Sequence, residues 1–264
     1  MRIPAIAVMA SCLLAFNAHA SVRVEGINGR MVEFLHIQSA APKAVVVFEN
    51  GLRGTLDKWD KVIAGIRGQA TVFAYNRPGY GMSEDTAKPR AGRHVVEELR
   101  SNLQHQGLKP PYILVGHSLG GLYIQLFARM YPQEVNGVVL VDSVYPGVIK
   151  RSEEFPLYAR LARKVFFSNT VNREVDQIHS TGDAVLALPW QRQIPLIRLF
   201  NVPKSASAIG VDFGAVNAGP KVRAMVEGLY PDSKKVIVDS DHQMQVASPE
   251  VIVQAIGEMI TARR

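Results

Sequence analysis

The sequence predicts an α/β fold with a mostly parallel central sheet flanked by helices. Short apolar runs of strand length recur along the chain, and segments of helical length and spacing separate them. A helix that connects two strands of one sheet is the usual crossover between parallel strands. At 264 residues the chain is long enough to bury a sizeable core, and we expect a single domain over residues 21–264.

The predicted strands are of two kinds. Residues 30–38 alternate between apolar and polar side chains, which is typical of a half-exposed strand, whereas the remaining runs are mostly apolar and typical of parallel strands. These runs are 44–48, 112–115, 138–141, 194–200 and 235–238.

Four segments have the length and apolar spacing of helices: residues 55–67, 94–106, 119–130 and 249–261. For the last of these, Ser248-Pro249-Glu250 predicts a capping residue followed by the first turn.

Residues 143–193 interrupt this alternation. They contain helical fragments with proline and aromatic residues but no convincing strand. Because unstructured loops of this length are uncommon and usually functional, we expect a helical lid inserted after the sixth strand, with irregular surface crossovers as the alternative. Six apolar side chains could form an acyl or aromatic pocket or pack the lid on the domain: Phe155, Leu157, Tyr158, Phe166, Phe167 and Trp190.

The first twenty residues resemble an export signal. Arg2 supplies the positive charge, residues 3–16 the apolar stretch, and Ala18-His19-Ala20 a cleavage site with small residues. The apolar stretch is shorter than the roughly 20 residues needed to cross a bilayer. We therefore expect cleavage after Ala20, a periplasmic or secreted mature protein, and no stable membrane insertion.

Composition excludes several classes of protein. With 47% hydrophobic residues and one cysteine, the chain is neither disordered nor held by disulfides, and it lacks the cysteines of a metal cluster. The net charge of +7 is distributed without a run of like charges, so a nucleic-acid-binding surface is not predicted. A salt-sensitive attraction to an anionic membrane surface remains an alternative, and the sequence carries no signal for an oligomeric state.

The strongest motif is Gly116-His117-Ser118-Leu119-Gly120, between a buried strand and a helix. This strand–turn–helix context is that of a nucleophile elbow, in which small residues on either side of a serine allow a sharp turn and leave the hydroxyl exposed. A serine hydroxyl is a weak nucleophile and needs a base, most often histidine. His242, between the last predicted strand and the last helix, is the predicted base.

At these residues the chain resembles the α/β-hydrolase family, over roughly residues 32–259. Four landmarks carry the resemblance in chain order: Phe48-Glu49-Asn50-Gly51, the run from Tyr75 to Ser83, the elbow from Gly116 to Gly121, and Asp241-His242-Gln243. The resemblance implies that the backbone amides of Leu52 and Leu119 bind the oxyanion of a tetrahedral intermediate. The family usually has His-Gly where this chain has Asn50-Gly51.

The base must be oriented by a carboxylate, and two residues are candidates. The family most often places this acid after the seventh strand, but here no acid occurs after residues 194–200 until Asp212. Asp142 directly follows the sixth strand, where some members of the family carry the acid. We predict Asp142, with Asp212 as the alternative.

These residues predict a serine hydrolase that cleaves a carboxylic ester, or a related acyl substrate, through an acyl-enzyme on Ser118. In the members of this family that act as haloalkane dehalogenases and epoxide hydrolases, the resemblance implies an aspartate nucleophile at the elbow. The serine at this position therefore disfavours both activities. The expected partner is a small acyl substrate, with no cofactor and no metal. The alternative is a catalytically silent hydrolase fold that binds a ligand or partner.

Overall fold

The computed structural model describes residues 21–202, 217 and 219–262. Its described strands form one eight-stranded sheet in the order β1-β2-β4-β3-β5-β6-β7-β8. β1 and β2 pair antiparallel, as do β2 and β4, and the other pairs are parallel. The strands are β1 (Arg23–Ile27), β2 (Arg30–Ile37), β3 (Val45–Glu49), β4 (Thr71–Tyr75), β5 (Tyr112–His117), β6 (Val135–Val141), β7 (Leu196–Asn201) and β8 (Lys234–Val238). The predicted α/β class and parallel sheet are confirmed.

Helices cover both faces of this sheet. The described α-helices are α1 (Asp60–Gly65), α2 (Gly92–His105), α3 (Leu119–Met130), α4 (Leu157–Phe166), α5 (Asn169–Leu186), α6 (Pro220–Leu229), α7 (Met244–Ala247) and α8 (Pro249–Thr261). α3 packs on one face together with α2 and α5, while α1 packs against α8 on the other. The central strand β5 is buried at every position, so the core has one apolar layer on each side of it.

One of the predicted helices is wrong. Residues 55–67 do not form one helix, because a 3₁₀ turn at Leu56–Trp59 precedes the short α1. The Asn76 side chain accepts a hydrogen bond from the Leu56 amide at 2.8 Å, so a tertiary contact holds the tighter turn. The start of α8 is as predicted, with Ser248 at the capping position and Pro249 as the first residue, although the Ser248 hydroxyl donates to Ser240 Oγ at 2.8 Å and makes no side-chain cap.

The segment between β6 and β7 consists of two different helices. α5 buries several side chains, including Val171, Val175 and Glu174, whereas α4 buries none. Leu157, Tyr158 and Phe166 on α4 are exposed, so the expectation that they pack the segment or line a pocket is wrong. Phe155, Phe167 and Trp190 do pack against the core.

No helix in the described part of the chain is long and apolar enough to cross a bilayer. Residues 1–20, predicted as an export signal, and Asp212, the alternative acid, lie outside the described residues.

The packing of β5 generates the first prediction. Leu114 lies in the middle of the sheet with no exposed surface, so Leu114→Ala leaves a cavity and is expected to lower the free energy of unfolding by about 2–5 kcal/mol. Ile237→Ala on the edge strand β8, where the side chain is 63% exposed, is expected to change it by less than about 0.5 kcal/mol. Urea unfolding followed by circular dichroism measures both, and equal losses would contradict the assigned core.

Candidate active site

Ser118 lies in a sharp turn between β5 and α3. Its backbone has φ 51° and ψ −120°, a left-handed conformation that few non-glycine residues adopt. Two hydrogen bonds to the end of β6 hold this turn: the Ser118 amide donates to Val141 O, and the Val144 amide donates to Ser118 O, each at 3.0 Å. The strand end next to the elbow therefore fixes the position of the serine.

Ser118, His242 and Asp142 form one continuous hydrogen-bonded chain. His242 Nε2 lies 3.1 Å from Ser118 Oγ, and His242 Nδ1 lies 2.7 Å from Asp142 Oδ2. Asp142 is fully buried, whereas the His242 side chain is 30% exposed, so the imidazole is reachable while its carboxylate partner is shielded from water. The structure thus brings together the three side chains that the sequence predicted as a triad.

Asp142 is itself held in place by the neighbouring strand. Its amide donates to Leu199 O at 2.9 Å, and the Asn201 amide points to Asp142 Oδ1 at 3.4 Å. Its φ of 39° is again in the left-handed region, so the residue after β6 turns sharply at the edge of the sheet. The Asn201 side chain also accepts from the Ser240 amide at 3.1 Å and so connects β7 to the loop that carries His242.

His117, the residue between Gly116 and Ser118, holds the loop of His242. Its Nε2 lies 2.7 Å from the backbone carbonyl oxygen of His242, and Gln245 Nε2 lies 3.3 Å from its Nδ1. A carbonyl only accepts, so Nε2 carries the proton and Nδ1 accepts from the amide of Gln245. Burial, together with the nearby charge of His242, lowers the pKa of His117 to about 3, so the ring is neutral at pH 7.

The loop after β3 lies directly against the elbow. A Cβ added to Gly51 would lie 3.1 Å from Ser118 Cβ and 2.7 Å from His117 Nδ1, so only glycine fits there. One added to Gly120 would lie 2.4 Å from the carbonyl oxygens of both Glu49 and Asn50. The amide of Leu52, a predicted oxyanion donor, therefore follows a residue that touches the serine.

Asn50 supports this loop from its buried position. Its side-chain nitrogen donates to Tyr75 O at 2.7 Å, and its side-chain oxygen accepts from the Trp59 indole at 2.8 Å. The asparagine that departs from the family pattern thus has both polar groups of its side chain bonded within the fold.

A buried ion cluster lies behind the same loop, and sequence reasoning missed it. The guanidinium of Arg77 contacts the carboxylates of Glu49 and Glu174 at 2.6 and 2.8 Å, with all three side chains at most 1% exposed. Burial disfavours the charged guanidinium, but Glu174 and Glu49 outweigh it and raise the pKa of Arg77 well above its usual value. Glu49 and Arg77 lie within two of the family landmarks, which was the available signal, whereas nothing local marks Glu174.

Within the described residues there is no group of three or more histidine, cysteine, aspartate or glutamate side chains that could hold a metal ion.

Comparison with known proteins agrees with this geometry. A family model described as the alpha/beta hydrolase fold matches residues 44–217. The chain belongs to the α/β-hydrolase fold family. An esterase from Mycobacterium tuberculosis, Rv0045c, is 31% identical over 194 residues, which are 70% of this chain and 62% of that protein. Two uncharacterized proteins of Bacillus subtilis, YqjL and YbdG, are 34% and 25% identical over 37% and 61% of this chain. The chain spans less than two thirds of the length of each of these curated relatives.

Solved structures show the same fold. A putative lipase from Acinetobacter baumannii has a TM-score of 0.69 at 19% identity, with 93% of both chains covered. An E-2-(acetamidomethylene)succinate hydrolase has a TM-score of 0.64 at 18% identity, covering 92% of this chain and 99% of the other. The protein thus has a hydrolase fold, and its Ser118, His242 and Asp142 side chains are joined by hydrogen bonds.

The lowered pKa of His117 generates a prediction on acid stability. Between the ordinary value of 6.5 and about 3, the unfolded chain binds a proton at this residue and the folded chain does not, so acidification favours unfolding. His117→Gln removes this component and keeps a side-chain amide that can donate to His242 O. The stability advantage of wild type over the variant is expected to shrink below pH 6.5, by up to about 1.4 kcal/mol per pH unit.

Urea unfolding between pH 7.5 and 4.5 measures this difference, with His105→Gln at an exposed site as the matched control. Parallel pH curves for wild type and His117→Gln would contradict a neutral buried His117.

Proposed function

We propose that this protein is a serine hydrolase that cleaves carboxylic esters through an acyl-enzyme on Ser118. The unbroken hydrogen-bonded chain from Ser118 through His242 to the buried Asp142 carries the proposal. The family membership and the esterase of M. tuberculosis support a hydrolase. An ester is favoured over an amide because an alkoxide leaves more readily than an amine.

In the acylation step, Ser118 Oγ attacks the acyl carbonyl carbon while His242 Nε2 takes the hydroxyl proton. Asp142 orients the ring and stabilises the imidazolium that forms. The carbonyl oxygen becomes an oxyanion, and the amides of Leu52 and Leu119 are the proposed donors that bind it. When the intermediate collapses, the alkoxide leaves with the proton from His242, and the acyl group stays on Ser118.

In the deacylation step, a water molecule attacks the acyl-enzyme carbonyl and gives its proton to His242. The same two amides bind the second oxyanion. Collapse of this intermediate returns the proton to Ser118 Oγ and releases the carboxylic acid, so each turnover consumes one water and restores the resting site.

A catalytically silent fold is the second candidate. Such proteins usually lack one member of the triad, and the geometry here disfavours that alternative because all three side chains lie within hydrogen-bonding distance.

We also propose that residues 143–193 act as a lid. Arg53, the residue after Leu52, lies with its Cζ 5.6 Å from the ring centre of Phe167 in this segment, which supports a lid next to the substrate entrance.

Export remains a proposal that rests on residues 1–20. Fractionation of the source cells and sequencing of the mature N-terminus would test it. A mature protein that begins at Ser21 is the expected result, and a chain that retains the leader would contradict cleavage after Ala20.

Hydrolysis of a graded series of p-nitrophenyl esters tests the proposed function. Wild type is expected to turn over part of the series and to react with a fluorophosphonate probe, and Ser118→Ala is expected to lose both activities because it lacks the nucleophile. Ser180→Ala, at an exposed serine on α5, is the matched control and should match wild type. Labelling without turnover would indicate the wrong substrates, and absence of both in folded wild type would favour the silent fold.

The choice of acid is tested separately. Asp142→Asn is expected to lower kcat by about 10⁴-fold, because the amide no longer stabilises the imidazolium or enforces the tautomer. Asp212→Asn is expected to retain kcat within a few-fold. Reversed results in the same ester assay would assign the acid to Asp212.

A further inference from the structure

Arg77 binds two carboxylates and also the backbone of the loop after β3, which carries the Leu52 amide. Its Nη1 donates to the Asn50 carbonyl oxygen at 2.5 Å, and its Nη2 donates to the Gly51 carbonyl oxygen at 3.0 Å. Neutralising a buried cation requires only carboxylates, which Glu49 and Glu174 already provide. The two carbonyls accept from the remaining N–H groups of the guanidinium and thereby tie it to the loop.

The contact to Gly51 bears directly on the Leu52 amide. The carbonyl of Gly51 and the N–H of Leu52 belong to one planar trans peptide and point in opposite directions. Because Arg77 donates to the Gly51 carbonyl oxygen, the N–H of Leu52 points away from Arg77. Among the described residues no acceptor takes a hydrogen bond from the Leu52 amide, so it is available to an incoming oxyanion.

The charge of Arg77 also strengthens this donor. A cation at a carbonyl oxygen draws electron density from the peptide, and hydrogen bonds in series polarise one another, most strongly in a dry interior. Arg77 is 1% exposed, so water screens little of this effect. The Leu52 N–H thus gains acidity as well as a fixed direction.

Glu174 of helix α5 fixes the plane of the guanidinium. Its two carboxylate oxygens accept hydrogen bonds from Arg77 Nε at 2.8 Å and from Arg77 Nη2 at 2.9 Å. This bidentate pair allows the planar guanidinium only one orientation. The Tyr80 hydroxyl donates to the same carboxylate at 2.8 Å. Nη2 is therefore shared between α5 and the Gly51 carbonyl.

We propose that Glu174 and Arg77 are positioning residues that orient and polarise the Leu52 amide, so that helix α5 acts on the oxyanion site through one guanidinium group. The proposal rests on the proposed serine hydrolase function. It assigns to the segment between β6 and β7 a role in transition-state binding, because its glutamate holds the guanidinium that contacts the loop.

Glu174→Gln tests the proposal, since it preserves volume but removes the charge and one acceptor of the bidentate pair. We expect kcat for the best ester to fall about 10- to 100-fold with KM nearly unchanged, because the loss is confined to the transition state. Asp176→Asn is the matched control. It removes the ion pair of an exposed α5 aspartate with Arg163 and no contact to Arg77, and should leave kcat unchanged.

A thionoester analogue of the same substrate separates positioning from general damage. Sulfur accepts hydrogen bonds weakly, so a thionoester gains little from the oxyanion donors. Glu174→Gln is expected to lower the ester-to-thionoester rate ratio about 10-fold, whereas a merely structural role would lower both rates together and leave the ratio unchanged. An unchanged ratio overturns the proposal. If Glu174→Gln fails to fold, Tyr80→Phe is the second test, because it removes the hydroxyl that donates to Glu174. An ester-to-thionoester ratio at least about threefold lower than in wild type would support the proposal. An unchanged ratio would overturn it.

A second readout does not depend on turnover. If folded wild type neither hydrolyses an ester nor reacts with the fluorophosphonate probe, the proposed function fails, but the ¹H–¹⁵N signal of the Leu52 amide still reports its environment. Glu174→Gln is expected to shift that signal while Asp176→Asn leaves it in place. An unshifted Leu52 signal in Glu174→Gln would refute the coupling independently of any activity.

Discussion

The parallel pairing of β3, β5, β6, β7 and β8 is the constraint on which the candidate site depends. Parallel strands end at a common edge, and Leu52, Ser118, Asp142 and His242 each follow the carboxyl end of one of them. The hydrogen bonds among these side chains therefore require correct register between β5 and β6 and, through β7, between β6 and β8. A register slip by one residue would turn alternate side chains to the opposite face, so the apolar core specifies the site geometry.

Backbone strain is concentrated where this edge carries the candidate chemistry. Ser118 and Asp142 both have positive φ, and such conformations cost of the order of 1–3 kcal/mol each. Hydrogen bonds between the elbow and the end of β6 hold the two turns against one another. His117 adds a third connection because it reaches the His242 carbonyl. The strained turns persist because fully buried strands surround them.

The buried ions have a different role from the apolar core. Buried ion pairs are weak evidence for stability, since desolvation of the charges offsets their attraction. Here Arg77 joins three parts of the fold that the chain separates widely: the ends of β3 and β4 and the middle of α5. Because α4 buries no side chain while α5 buries Glu174, the segment between β6 and β7 has one firmly attached helix and one loosely packed helix.

Local pattern and spacing were enough for much of this molecule. The strand patterns predicted six of the eight described strands and missed β1 and β4. The bounds of α3 and α8 agree with the structure, and the elbow motif identified Ser118, because these features depend on residues close together in the chain. The sequence alone left Asp142 and Asp212 as alternatives. Only the tertiary structure brought Asp142 to His242 across 100 residues, bonded His117 to the His242 loop, and paired Glu174 with Arg77. Such contacts join segments that lie far apart in the chain. Local spacing does not say which of these segments meet, so only the folded chain determines them.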